Sequence, residues 1–172
     1  MFAKCAFVLW FVGCMTGILV MSVTQLADFD PDLKLSLAIS DLDFEQELVS
    51  QIQYKYQVFD KTLVHFSQDN CFCNTLSQSH IQTFSSQMQN QGFNNIYINL
   101  NQYPEFAKFI PSIPAVAVIG AVKELIYLGP YSEGYGCLQG TGLVDAIIPR
   151  VSNQRFDNAL LVTEAKGCYC QT

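Results

Sequence analysis

The chain has 172 residues, enough for one domain with a substantial core, and half of them are hydrophobic, which excludes disorder over most of the length. Its formal net charge is −6, and no cluster of Lys and Arg is available to neutralise phosphates. We therefore expect no nucleic-acid partner.

Residues 1–24 are predicted to form a transmembrane helix. Cys5 to Val23 is uncharged and mostly apolar, close to the roughly 20 residues that cross a hydrocarbon core. Lys4 precedes this stretch and acidic residues follow it, and a positive flank stays in the cytoplasm. The prediction is a single-pass, signal-anchored membrane protein with a cytoplasmic N-terminus and an extracytoplasmic domain, periplasmic in a bacterium. The alternatives are a cleaved signal peptide and lipoprotein processing at Cys14.

Residues 25–42 are interpreted as a tether, and residues 43–172 as the folded domain. The domain begins with apolar residues at i, i+4 and i+8, namely Phe44, Leu48 and Ile52. This spacing places the three side chains on one helical face. It predicts a helix over 43–56.

Short runs of β-branched and aromatic residues then predict strands, and polar segments with apolar residues at helical spacing predict helices between them. The connection between two of the strands is short enough for an antiparallel hairpin. A mixed α/β sheet flanked by helices is the expected fold. The predicted strands are 62–66, 95–100, 115–119, 124–128 and an edge strand at 159–163.

Two cysteines, Cys71 and Cys73, follow the first of these strands, at the start of a predicted helix. Unpaired N–H groups at a helix start favour a thiolate, so Cys71 is the candidate attacking sulfur. Cys73 is close enough to resolve a mixed disulfide formed at Cys71.

The motif Ser112-Ile113-Pro114 opens a strand, and its proline lies 41 residues after Cys73. A cysteine pair after a core strand, followed by such a motif, resembles the thioredoxin-like superfamily. The resemblance implies a thioredoxin-like mixed sheet and a cis bond before Pro114, which lies against the sulfurs and aligns a partner's backbone. It also implies a thiol–disulfide oxidoreductase that acts on protein thiols and disulfides and needs no cofactor beyond its cysteines. The chain departs from the pattern because C-x-C replaces the usual C-x-x-C.

Three more cysteines lie further along the chain. Cys168 and Cys170 form a second C-x-C pair, and Cys137 lies in a glycine-rich loop. The second pair is either a redox pair that exchanges with the first or a structural disulfide staple. Cys137 is either a partner for one of these cysteines or a thiol near the active face.

Two other functions remain open from the sequence. The two C-x-C pairs together offer four thiolates, which suit copper, or less well zinc because zinc ligands are usually spaced further apart. His65 and His80 are interpreted as core or surface residues and not as metal ligands. The second alternative is a non-catalytic binding module with structural disulfides, in which aromatic residues at 129–131 and Tyr135 form an exposed docking loop.

Overall fold

The computed structural model describes residues 2–24, 26–57, 61–134, 142–152 and 158–172. Its centre is a five-stranded sheet in the order β3-β2-β5-β6-β7, and two further pairs of strands, β1-β8 and β4-β9, lie outside it. The strands are β1 Ala27–Asp28, β2 Thr62–Ser67, β3 Asn94–Asn99, β4 Ser112–Ile113, β5 Ala115–Ile119, β6 Leu125–Pro130, β7 Leu160–Leu161, β8 Lys166–Gly167 and β9 Cys170–Gln171. The helices are α1 Phe2–Thr24, α2 Lys34–Ala38, α3 Phe44–Tyr56, α4 Phe72–Leu76, α5 Gln78–Gln89 and α6 Ile147–Ser152.

The central sheet is mixed. Strand β2 runs parallel to β3 and antiparallel to β5, β5 and β6 are antiparallel, and β6 and β7 are parallel. The predicted α/β class with a mixed sheet is therefore confirmed, as is the antiparallel hairpin. The predicted edge strand is also present, although it is shorter than the apolar run that indicated it.

Both faces of the sheet are covered by apolar layers, because side chains alternate between the faces along each strand. Val64 and Phe66 of β2 belong to one buried cluster with Leu48 and Ile52 of α3. Leu63 points the other way, into a second cluster. That second cluster contains Ile81, Phe84 and Met88 of α5. The helical spacing read from the sequence is thus the spacing with which α3 and α5 bury their apolar faces.

The predicted transmembrane anchor at residues 1–24 is wrong. The helix itself forms as α1, but none of the helices in the described part of the chain is long and apolar enough to cross a membrane.

The segment interpreted as a tether, residues 25–42, contributes β1 and α2. Phe29 and Leu35 are 1% and 0% exposed and belong to the main core cluster. The buried carboxylate of Asp30 accepts hydrogen bonds from the backbone N–H groups of Leu35 and Ser36, at 3.1 and 2.7 Å. These bonds supply partners for N–H groups in the first turn of α2, which have none within the helix. Residues 27–38 therefore pack as part of the domain.

Candidate functional site

Cys71 occupies the turn between β2 and α4, and it is the N-cap residue of α4. The turn passes through Asn70, whose φ of 62° lies in the left-handed region that Asn tolerates better than most residues. Asp69 is fixed at both its backbone and its side chain. Its N–H donates to Asn101 Oδ1 at 2.8 Å, and its Oδ1 accepts from Asn99 Nδ2 at 2.8 Å. Cys71 is thus held in place and is only 7% exposed.

The two C-x-C pairs are joined to each other by two disulfides. Cys71 is bonded to Cys170, with Cα atoms 6.0 Å apart, and Cys73 is bonded to Cys168, with Cα atoms 5.4 Å apart. Both separations suit a disulfide, whereas side chains two positions apart at a helix start do not face each other. Each sulfur is therefore bonded to a sulfur of the other C-x-C pair and not to the one in its own pair.

Strand β9 brings Cys170 to Cys71 along the segment that precedes Pro114. Residues Ile113 and Cys170 are paired in an antiparallel register, as are Ser112 and Gln171. The Ile113–Pro114 peptide bond is cis, as the resemblance implied. Cys71 Sγ lies 4.0 Å from the carbonyl oxygen of Ile113. Three parts of the chain far apart in sequence, at Cys71, Pro114 and Cys170, therefore meet at one point.

Several contacts besides the disulfides hold residues 164–172, which we call the tail. The Tyr169 hydroxyl donates to the backbone oxygen of Ser132 at 2.6 Å, and its ring makes an edge-to-face contact with Phe29, with centroids 5.3 Å apart. Thr172 Oγ1 donates to the backbone oxygen of Ile110 at 2.7 Å. Strand β8 of the tail also pairs with β1. The tail is thus docked at both of its short strands.

The sulfurs form a compact cluster. The Sγ atoms of Cys71, Cys73 and Cys170 all lie within 4.8 Å of one another, and Cys168 is bonded to Cys73. Cys71 is the buried member, whereas the other three cysteines are partly exposed. A thiolate freed in one bridge would lie near the other bridge, so the arrangement permits disulfide exchange within the cluster.

Two more of the predicted features concern Cys137 and the loop formed by 129–131 and Tyr135. Cys137 and Tyr135 lie outside the described residues. The predicted exposed docking loop at 129–131 is wrong, because Gly129, Pro130 and Tyr131 are all buried. The reason is that residues 129 and 130 complete β6, and the Tyr131 ring then packs edge-on against Phe84 of α5.

A polar network around His65 was not expected in detail from the sequence. His65 is 3% exposed, its Nδ1 contacts the Tyr131 hydroxyl, and its Nε2 lies 2.9 Å from Asn95 Oδ1. The hydroxyl donates and the amide oxygen accepts, which fits the neutral ring with its proton on Nε2. Burial lowers the pKa of His65, and the hydrogen bond to Asn95 opposes this only in part. A lone histidine in an apolar strand gave no signal that could have identified these partners.

His65 and the sulfurs lie on opposite faces of the sheet. Val64 and Phe66, the neighbours of His65 in β2, point into the cluster that contains Cys71, so His65 points away from it. His80, which is 2% exposed, packs against Tyr131. Neither histidine belongs to a group of potential metal ligands among the described residues. The interpretation of both as core residues therefore agrees with their burial.

Two disulfides within one domain are typical of proteins that fold in an oxidising compartment, and the domain is accordingly extracytoplasmic. No curated protein matches the chain at a significant level. A family model matches residues 41–172, which is most of the chain and includes all four bonded cysteines. The chain belongs to the family described as Domain of unknown function (DUF6436).

Proposed function

We propose that the protein exchanges thiols and disulfides with other extracytoplasmic proteins, in the periplasm if the cell is bacterial, and that its domain is thioredoxin-like. The observation that carries the proposal is the Cys71–Cys170 disulfide, which lies beside the Ile113–Pro114 bond at the end of a core strand. The order β3-β2-β5-β6, in which β2 lies between β3 and β5 and is parallel only to β3, supports the proposed fold.

The exchange proceeds in two steps. A thiolate of the partner attacks Cys71 Sγ, the bond to Cys170 breaks, and Cys170 leaves as a thiolate that takes up a proton. A second thiol of the partner then attacks its own sulfur in the mixed disulfide and releases Cys71. The partner becomes a disulfide, and the protein's bridge becomes two thiols, so two electrons pass from partner to protein. The reverse sequence reduces a partner disulfide.

Cys73 resolves mixed disulfides only after its own bond to Cys168 has been opened. That second bridge lies close enough to the first to pass electrons to it, because Cys73 Sγ is within 4.8 Å of both Cys71 Sγ and Cys170 Sγ. The Cys73–Cys168 bridge is therefore the second redox pair in the proposal. Pro114 aligns the backbone of the partner beside Cys71.

The test is to trap the mixed disulfide on Cys71. Cys170→Ser leaves Cys71 without its bonding partner, and we expect it to collect disulfide-linked proteins in an oxidising compartment. Cys71→Ser should collect none through this site. Cys5→Ser is the matched control, because Cys5 is an exposed, unbonded cysteine in α1, and it should leave exchange with a model dithiol unchanged. If neither adducts nor exchange depend on Cys71, the non-catalytic binding module with structural disulfides replaces this function.

A second candidate function is binding of copper. The specific observation in its favour is the set of three sulfurs, those of Cys71, Cys73 and Cys170, which lie within 4.8 Å of one another. Two equivalents of a dithiol reductant, each giving two electrons and two protons, would convert the two bridges into four thiols, and thiolates select Cu(I) over harder ions. One Cu(I) bound per reduced chain, lost in Cys71→Ser and kept in Cys14→Ser, would establish it. Zinc binding under the same conditions would assign the site to Zn²⁺.

A further inference from the structure

We propose that residues 169–172 are an internal ligand that fills a strand-binding site along β4, and that the partner of the exchange is an extended segment that takes their place. The inference rests on the proposed function and adds the class of partner and the means by which access is controlled. Its basis is the antiparallel register of β4 and β9, in which Cys170 lies opposite Ile113.

The register explains why an incoming segment would be extended. In β9, backbone pairing with β4 and the disulfide to Cys71 occur at the same residue, so the pairing carries the sulfur to its partner. An extended segment that pairs with an exposed sheet edge gains affinity from main-chain hydrogen bonds and specificity from alternate side chains. A segment with its cysteine opposite Ile113 would present that sulfur to Cys71 in the same way.

The tail also indicates which side chains the site accepts. The residue before Cys170 is Tyr169, which is 9% exposed, packs against Phe29 and donates to the Ser132 backbone oxygen. The residue two positions after Cys170 is Thr172, whose hydroxyl donates to the backbone oxygen of Ile110. The partner class is therefore an extended segment with an aromatic residue before its cysteine and a hydroxyl residue two positions after it.

The second disulfide keeps the displaced segment nearby. When a partner thiolate attacks Cys71, Cys170 leaves as a thiolate, and residues 169–172 lose their covalent bond to the site. Cys168 stays bonded to Cys73, so the segment pivots at that point and can return. When it returns, the Cys170 thiolate attacks Cys71 and expels the partner thiolate, which restores the bridge without any other reactant.

The experiment uses the full chain with Cys170→Ser, in a background where Cys5, Cys14 and Cys137 are also replaced by serine. Cys71 is joined by a disulfide either to the peptide Gly-Ser-Tyr-Cys-Gln-Thr or to 2-mercaptoethanol, and hydrogen exchange of the backbone amides at 169–172 is measured. We expect exchange to be at least about tenfold faster in the peptide adduct, because the peptide takes the place of the segment. The mercaptoethanol adduct should match the unmodified variant.

Two results separate the inference from the function beneath it. If both adducts form and residues 169–172 stay equally protected, the inference is overturned while the exchange function stands. If Cys71 accepts neither adduct, the exchange function fails, and the inference fails with it.

A second measurement uses the unchanged chain and does not depend on the folding of the variant. The rate at which the peptide thiol opens the Cys71–Cys170 bridge is compared with the rate for Gly-Ser-Gly-Cys-Gln-Gly. We expect the first peptide to react several-fold faster, since only it carries the tyrosine ring before the cysteine and the threonine hydroxyl two positions after it. Equal rates would overturn the proposed partner class.

Discussion

Cys170 pairs through its backbone with Ile113, the residue before the cis bond, while its sulfur is bonded to Cys71. The oxidised protein therefore contains, within one chain, the arrangement that we propose for a partner held in a mixed disulfide. The contacts that hold the tail in this arrangement lead to the first two predictions.

The two disulfides should contribute to stability in a non-additive way. Cys71–Cys170 and Cys73–Cys168 close loops of nearly the same extent, with sequence separations of 99 and 95. While one bridge remains, the other closes only a ring of a few residues, so removing either pair with serines should lower the free energy of unfolding by about 2 kcal/mol. Removing both pairs reopens the long loop and should cost about 6 kcal/mol. Urea unfolding under oxidising conditions measures this, and simple additivity would contradict it.

The middle residues of the two C-x-C pairs should affect disulfide reduction very differently. Tyr169 is buried, whereas Phe72 is 69% exposed. Tyr169→Ala removes the ring contact with Phe29 and a buried hydrogen bond, and should speed reduction by a small dithiol about tenfold through easier local opening. Tyr169→Phe keeps the ring, so its rate of disulfide reduction should increase by a smaller factor.

The matched control for this effect is Phe72→Ala, which should stay within about twofold of the unchanged chain because exposed side chains add little to stability. Thiol release followed over time with a chromogenic reagent gives the rates. Similar acceleration in Tyr169→Ala and Phe72→Ala would show that the tail does not limit access to the sulfurs.

Stability should fall in mild acid because of His65. Burial lowers the pKa of His65 in the folded state, so below about pH 6.5 the unfolded state binds more protons. The contribution of neutral His65 to the free energy of unfolding is complete above that pH. It is lost as the pH falls towards the lowered pKa of the folded state, and the free energy of unfolding then changes by at most about 1.4 kcal/mol per pH unit. The His65→Gln variant should lose this pH dependence of the free energy of unfolding. The His80→Gln variant should keep it. Denaturant unfolding between about pH 5 and 8 checks this, and an unchanged slope in His65→Gln would refute it.

Asp30 should contribute far more to the stability of the fold than its neighbour Asp32. Asp30 is 5% exposed and accepts hydrogen bonds from Leu35 and Ser36, whereas the Asp32 carboxylate is largely exposed and lies 3.8 Å from Lys34. Asp30→Ala leaves N–H groups of α2 without partners and should cost about 1–3 kcal/mol. Asp32→Ala should cost less than about 0.5 kcal/mol. Thermal unfolding of the two variants would show whether the segment before α3 is part of the cooperative unit.

The local elements were predictable from the sequence because their signals are local. Apolar residues at helical spacing identified α3, and short β-branched runs identified β2, β5 and β6. The run at 62–66 lies within β2, Thr62–Ser67, for example. The position of Cys71 at the start of a helix also followed from the strand that precedes it and the polar helix after it.

The connections between distant parts of the chain could not be predicted in this way. Nothing in the spacing of two C-x-C pairs indicates that Cys71 bonds to Cys170 and Cys73 to Cys168, because that depends on where β9 docks. The burial of Phe29 likewise depends on Tyr169, which is far away in sequence. The apolar character of residues 5–23 was evident, but composition alone did not establish a membrane span.

The edge-to-face contact between Phe29 and Tyr169 has a practical consequence for producing the protein. The family match begins at residue 41, twelve positions after Phe29, so a recombinant fragment cut at that boundary would lack β1 and α2 along with this ring. Tyr169 and the core surface against Leu35 would then be open to water, and such a fragment should be prone to aggregate and to scramble its disulfides. Expression that begins before Ala27 retains the strand that pairs with β8 and should avoid both problems.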